Sequence, residues 1–263
     1  MIDVERILRR ERAIIAAGLA AITFLAWFYI WRGAGMGMSA LAMTSLSLFP
    51  HLQGGMPGEM DSTWPIIVSM WWVMMIAMMT PSAAPLVLLY GRVLRHHAPA
   101  GESAYVPSLF VVAGYLAVWL VFSVGAAALQ EALQPAGLIS AMMLWSKSAW
   151  LSAAVLAAAG AYQLSPFKQA CLTHCRGPVQ FLTRHWRPGR GGAFVMGVSH
   201  GAYCVGCCWM LMALLFVGGV MNLVWIAVLT LVVLIEKLSP VGETLGKLAG
   251  VLLIVWAVAT LLV

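Results

Sequence analysis

The chain has 263 residues, of which 62% are hydrophobic and only 9% charged, with a mean hydropathy of +0.93. Such a composition excludes a soluble globular fold, and no polar stretch is long enough for a soluble domain. A net charge of +6 does not call for nucleic acid either, because the basic residues sort to one side of the predicted topology.

Apolar runs at roughly 13–31, 65–90, 106–131, 138–164, 193–217, 219–236 and 246–263 predict an all-α, polytopic membrane helix bundle with about seven transmembrane helices. With a cytoplasmic N-terminus, Arg6, Arg9, Arg10, Arg12, Arg92, Arg95, Lys168, Arg176, Arg184, Arg187, Arg190, Lys237 and Lys247 lie at or near the inner side, and only Arg32 and Lys147 lie outside. This asymmetry predicts an N-in, C-out protein of the bacterial inner (cytoplasmic) membrane, with the bilayer as its first partner. The arginines before the first span, without a small-residue cleavage site after it, read as an uncleaved anchor.

The predicted periplasmic segment 32–64 carries Met36, Met38, Met43, His51, Met56 and Met60. Thioether and imidazole on an outward loop suit collection of Cu(I), or its receipt from a periplasmic metal carrier. Residues 39–49 would suit a short interfacial helix. The second span holds Met70, Met74, Met75, Met78 and Met79 at helical spacing, a broad thioether stripe that serves either as packing or as a set of soft ligands. Pro81 and Pro85 follow and should free backbone carbonyls at membrane depth.

Spans three and four read as scaffold, with Gly114, Gly125 and Gly160 suited to close helix packing and Glu131 at the outer end. Lys147 makes the fourth span the weakest, and Trp145 and Trp150 suggest that 138–147 lies along the outer interface. The basic cytoplasmic loop 164–192 contains Cys171, His174 and Cys175. On a helix these fall within one turn, close enough for one ion, and Lys168, Arg176, Arg184 and Arg187 would favour the thiolate.

Span five is the densest in chemistry: His200, Cys204, Cys207 and Cys208, followed by Met212. His200, Cys204 and Cys207 fall within roughly 60° of one another on a helix, with Cys208 a further ~40° round. The rise separates His200 from Cys208 by ~12 Å, so a string of sites, or one completed by other helices, is expected. Thiolate, thioether and imidazole together select Cu(I) first and zinc second; haem held by His200 and a methionine is a further alternative. Gly197 and Gly201 form a small-xxx-small pair that admits a neighbouring helix. The short connection to span six makes spans five and six antiparallel neighbours. Glu236 and Lys237 end span six at the inner face, Lys237 by snorkelling and Glu236 either paired to a basic residue or serving as an ion exit.

Met74-Met75 with Met78-Met79-x-Pro81, Cys171-x-x-x-Cys175, His200-Gly-x-Tyr-Cys204-x-Gly-Cys207-Cys208-Trp-x-x-Met212 and Glu236-Lys237 resemble a bacterial family of predicted metal-binding integral membrane proteins of unknown function. The resemblance covers roughly residues 64–250 and implies a metal site without establishing a reaction; the outer loop has no part in it. Together these readings point to a copper-handling membrane protein that moves Cu(I) or supplies it to a membrane cuproenzyme. His200 lies near the inner start of its helix, which favours inward delivery. No nucleotide-binding motif is present, and no catalytic residue is assigned. A membrane thiol-redox protein using Cys204, Cys207 and Cys208, and a non-catalytic metal-binding subunit of a larger complex, stay open alternatives, as does the oligomeric state.

Overall fold

The computed structural model describes residues 2–53, 63–97 and 105–263, and among these it is all-helical. In chain order the α-helices are α1 (Ile2–Trp31), α2 (Trp64–His97), α3 (Tyr105–Leu133), α4 (Ala149–Leu164), α5 (Pro166–Arg176), α6 (Pro178–His185), α7 (Gly189–Ala213), the single turn α8 (Leu215–Gly218), α9 (Leu223–Leu238) and α10 (Gly242–Leu262). Five stretches are long and apolar enough to cross a membrane: Glu11–Trp31, Trp64–Arg95, Tyr105–Leu133, Gly189–Gly218 and Gly242–Leu262. The expected fourth and sixth spans correspond to α4 and α9, each 16 residues. At 1.5 Å per residue such a helix measures about 24 Å, short of a ~30 Å hydrocarbon core.

The basic ends of the helices gather at one end of the bundle. Arg95 pairs with Glu11 across α2 and α1, Tyr90 meets Trp186, and Arg176 donates to the Ser239 carbonyl just past α9. At the opposite end Asn222 caps α9 through its Oδ1 and donates Nδ2 to the Ser45 carbonyl. The expected basic loop 164–192 is mostly two short helices, α5 and α6, each started by a proline at its first turn, where a missing N–H costs nothing. Both turn apolar residues inward: Leu172, Phe181 and Leu182 are buried.

Two other expectations change. Over 138–147, where tryptophans suggest an outer interface, an antiparallel bridge joins Ile139 to Ser146 and Trp145 is buried within the protein, while Trp150 just beyond is exposed. This segment plugs the end opposite the basic residues, its Leu144 carbonyl facing the Val220 amide. Residues 39–49 form turns rather than a helix, and Met36 and Met43 are buried in the core instead of presented outward. His51 sits edge-on to Phe49, and burial holds its ring below the usual imidazole range. Met56 and Met60 lie outside the described residues.

Glycines set the closest helix contacts, as the sequence pattern anticipates for Gly114, Gly160, Gly197 and Gly201. A Cβ on Gly197 would lie 2.0 Å from the Val111 carbonyl, and one on Gly114 2.2 Å from the Phe194 carbonyl. Backbone thus touches backbone where α3 crosses α7. Gly160 meets the Gly250 carbonyl in the same way, joining α4 to α10, whereas Gly125 faces open space. The main neighbour of α7 is therefore α3; α9 leans chiefly on α2 and α10 and touches α7 at its basic end. Gly197→Val should destabilise the bundle by about 1–3 kcal/mol, since the obstacle is backbone that no rotamer relieves. Thermal unfolding in detergent measures it, with Gly125→Val expected to stay close to wild type.

Candidate metal centre

The tight α3 and α7 crossing turns His200, Cys204, Cys207 and Cys208 into the protein, and all four are buried. Cys204 is the hub. Its sulfur lies 2.8 Å from the Lys237 ammonium and 3.0 Å from the Tyr115 hydroxyl. The same Tyr115 hydroxyl, with one proton to share, lies 3.1 Å from the Met79 carbonyl, and Lys237 reaches Ser82 Oγ at 3.3 Å. Lys237 is only 5% exposed. A buried ammonium needs a counter-charge, and a Cys204 thiolate supplies one.

Further sulfurs extend from this hub. Cys207 and Cys208 donate their thiols to the Cys204 carbonyl at 3.1 and 2.8 Å, a helical arrangement that fixes both side chains. Cys208 Sγ then lies 3.9 Å from Met79 Sδ, and Cys207 Sγ 3.9 Å from Cys175 Sγ. Sulfur from α2, α5 and α7 thus meets in one apolar interior. Met70, Met74, Met75, Met78 and Met212 are each fully buried in the same core, so the methionine stripe faces protein rather than lipid. Among the described residues no set of three or more His, Cys, Asp or Glu side chains stands ready to hold one ion. A soft monovalent ion asks for less: a pair of thiolate or thioether sulfurs is already a chemically suitable donor set for Cu(I).

The three candidates on α5 separate. Cys171 and Cys175, four residues apart, both turn toward α7; Cys175 faces Cys207 while Cys171 Sγ lies against Gly206. His174 instead stacks on Tyr203, ring centroids 4.1 Å apart. One ion held by all three is not the arrangement seen, because the helix places His174 on the flank of the face that the cysteines share. Burial and then Cys207 push the Cys171 thiol up, and the Cys175 thiol is held well up by its hydrogen bonds to the Cys204 and Cys207 sulfurs. His200 lies one turn before Cys204, its ring 5.2 Å from that of Phe181 and 5.9 Å from that of Tyr115, with Nδ1 buried and unpartnered.

Residues 68–260 match the PpoB2 family model, described as copper chaperone. The chain belongs to that copper chaperone family. No curated protein and no solved structure matches it. The matched stretch contains α3 to α10 and nearly all of α2, and so every candidate ligand named on α2, α5 and α7; the outer methionine segment falls outside it.

The chain places in its interior three polar groups, of which the sequence suggested another place only for Lys237. Tyr115 sits on a helix read as scaffold, although a tyrosine in an apolar span always needs a partner for its hydroxyl. Lys237 does not snorkel; a charge inside an apolar run points by default to the bundle interior, and that rule was the available signal. Ser82, between the two prolines, completes the set. Glu236 points away from the sulfurs: Oε2 accepts from Lys168 at 2.6 Å and Oε1 from Gln163 Nε2 at 2.6 Å, while Lys168 also donates to Gln163 Oε1. With both oxygens engaged, Glu236 clamps α9 to α4 and α5, and an exit role would first have to break those bonds. Lys168→Met leaves a buried carboxylate without its cation and should cost about 3–5 kcal/mol, while Lys168→Met with Glu236→Leu should recover most of the loss. Unfolding midpoints of the two variants decide it.

Proposed function

We propose that this chain is a multi-pass inner-membrane protein that binds Cu(I) as cargo among Cys204, Cys207, Cys208, Met79 and Cys175, and passes it on to a membrane cuproenzyme or across the bilayer. One observation carries the reading: thiol and thioether sulfurs from three helices converge in an apolar interior, and the chain belongs to a copper chaperone family. Such donors exclude hard cations by softness rather than by shape. Lys237 holds the Cys204 thiolate neutral in the absence of cargo, so the buried centre need not carry an uncompensated charge. Met70, Met74, Met75 and Met78 extend thioether donors along α2 away from this centre, while His200 extends the ligand set toward the basic end. Exchange along such a series works when no single site holds the ion too firmly.

In this reading the seven apolar helices α1, α2, α3, α4, α7, α9 and α10 cross the membrane with the basic end inside. The plug 137–148 and α5 complete the depth that the short α4 leaves unfilled. An enzymatic reporter fused after Val263 should be active only in its periplasmic form, and one fused after α6 only in its cytoplasmic form; the reverse pattern would overturn the topology.

Metal content of the reduced protein, purified in mild detergent after copper-replete growth, tests the cargo. Wild type should carry near-stoichiometric copper by mass spectrometry, and Cys204→Ser/Cys207→Ser/Cys208→Ser should carry almost none, at a melting temperature lowered because Lys237 loses its partner. A second reading has a specific observation behind it: the Cys175 and Cys207 sulfurs are 3.9 Å apart, within a small shift of the bonding distance of about 2.05 Å. A thiol relay would show a reversible Cys175 to Cys207 disulfide and no stoichiometric metal in the same preparation.

A further inference from the structure

At the basic end, three imidazoles surround two aromatic rings. Phe181 stacks on His185 with centroids 4.6 Å apart and meets His200 edge-on at 5.2 Å. Tyr203 stacks on His174 at 4.1 Å and meets His185 at 6.2 Å. Phe181 is therefore a partition between the buried His200, one turn before Cys204, and the partly exposed His185, while the partly exposed His174 lies against Tyr203.

The hydrogen bonds of the two outer histidines fix what each ring can do. His174 Nδ1 lies 2.8 Å from the Ala170 carbonyl, and His185 Nδ1 lies 3.1 Å from the Phe181 carbonyl. A carbonyl only accepts, so in both rings Nδ1 carries a proton, and in the neutral form the lone pair is left on Nε2. An imidazole whose second nitrogen donates to a backbone carbonyl is the arrangement that orients histidine ligands on metals. Here it occurs twice, on α5 and α6, around one tyrosine. Beside it a recess of about 50 Å³ is lined by Thr173, His174, Gly177, Gln180, Phe181 and Arg184. The Arg184 guanidinium disfavours a dication there more than a monovalent one, by the plain scaling of repulsion with charge.

We propose that the partly exposed imidazoles of His174 and His185 are surface-side ligands for Cu(I), from which the ion leaves the protein after crossing the Phe181 partition from His200. The direction of passage rests on the copper reading above; the site itself rests on the two oriented imidazoles. It splits His174 from the cysteines with which the sequence groups it, and gives His185 a role that no motif suggested. Nitrogen donors on an open surface hold Cu(I) less firmly than buried sulfur, which suits a site of release.

The test uses the whole chain in detergent under ascorbate, titrated with Cu(I) against a colorimetric chelator and read by X-ray absorption at the copper edge. Wild type should bind one class of copper with sulfur neighbours and a weaker class with nitrogen neighbours. His174→Ala/His185→Ala should lose only the nitrogen class, with His174→Gln/His185→Gln giving the same result should the alanine pair fail to fold. Phe181→Ala should keep both classes and speed transfer of the sulfur-bound copper to the chelator. Cys204→Ser/Cys207→Ser/Cys208→Ser should lose only the sulfur class. A nitrogen class missing from wild type, or unchanged in the double histidine variants, overturns the site. Transfer from Phe181→Ala no faster than from wild type overturns the partition. A missing sulfur class alongside an intact nitrogen class sinks the buried-cargo reading and leaves the surface site standing.

Discussion

One ammonium in an apolar interior constrains this molecule more than any other group. Lys237 is buried where an unpaired charge would cost several kcal/mol, so everything around it has to be polar, soft or ionised. Cys204, Ser82 and, through Cys204, Tyr115 answer that demand. Their positions in turn fix α9 against α2 and α7, and the Met79 carbonyl that accepts from Tyr115 ties α3 to α2. The sulfur cluster is then a consequence of the packing: once Cys204 is pinned, the helix carries Cys207 and Cys208 to set places one turn on.

Glu236, the residue beside Lys237, shows how one helix serves two environments. Neighbours on a helix point about 100° apart. Lys237 therefore enters the sulfur centre while Glu236 leaves it for Lys168 and Gln163. Had the two charges paired with one another, Cys204 would have lost its cation and the α4 to α5 corner its anchor. The adjacent opposite charges are thus a fork that joins the soft interior to the basic end. The short helices α5 and α6 depend on that fork, since Lys168 near the start of α5 is its far terminus.

Much of this was legible in the sequence, and the failures have a common physical origin. Hydropathy located the apolar helices because a run of apolar residues has one meaning in any context. The inward face of α7 followed from helical spacing, and its approach to α3 from Gly197 and Gly201. Burial of the α2 methionines stayed open in the sequence, since thioethers suit lipid and protein interior alike; only the packing of α3 and α9 on α2 decides it. The sequence suggests a snorkelling Lys237 and is silent on Tyr115, because their roles depend on what other helices bring to them. The α5 cysteines were correctly helical in spacing, yet spacing alone could not show that their shared face is spoken for by Cys207 and Gly206 while His174 turns to Tyr203. Over 138–147 the sequence left burial open, because tryptophan marks both interfaces and cores: Trp145 is buried in the protein and Trp150 is exposed.

The resulting arrangement orders its donors by depth as well as by kind. Thioethers occupy α2, thiols occupy the middle of α7, and imidazoles occupy the basic end, from buried His200 to partly exposed His185. Softness falls along that series while contact with water rises. A Cu(I) ion moving along it would exchange sulfur for nitrogen as it approached solvent, so its hold would weaken where a recipient could reach it. A chaperone needs this asymmetry more than it needs tight binding, because a site that only holds cannot deliver. The fold provides it with side chains fixed by their own hydrogen bonds: Cys207 and Cys208 on the Cys204 carbonyl, His174 and His185 on the carbonyls of Ala170 and Phe181. These donors are held by the backbone of their own helices, so their positions do not depend on a cargo.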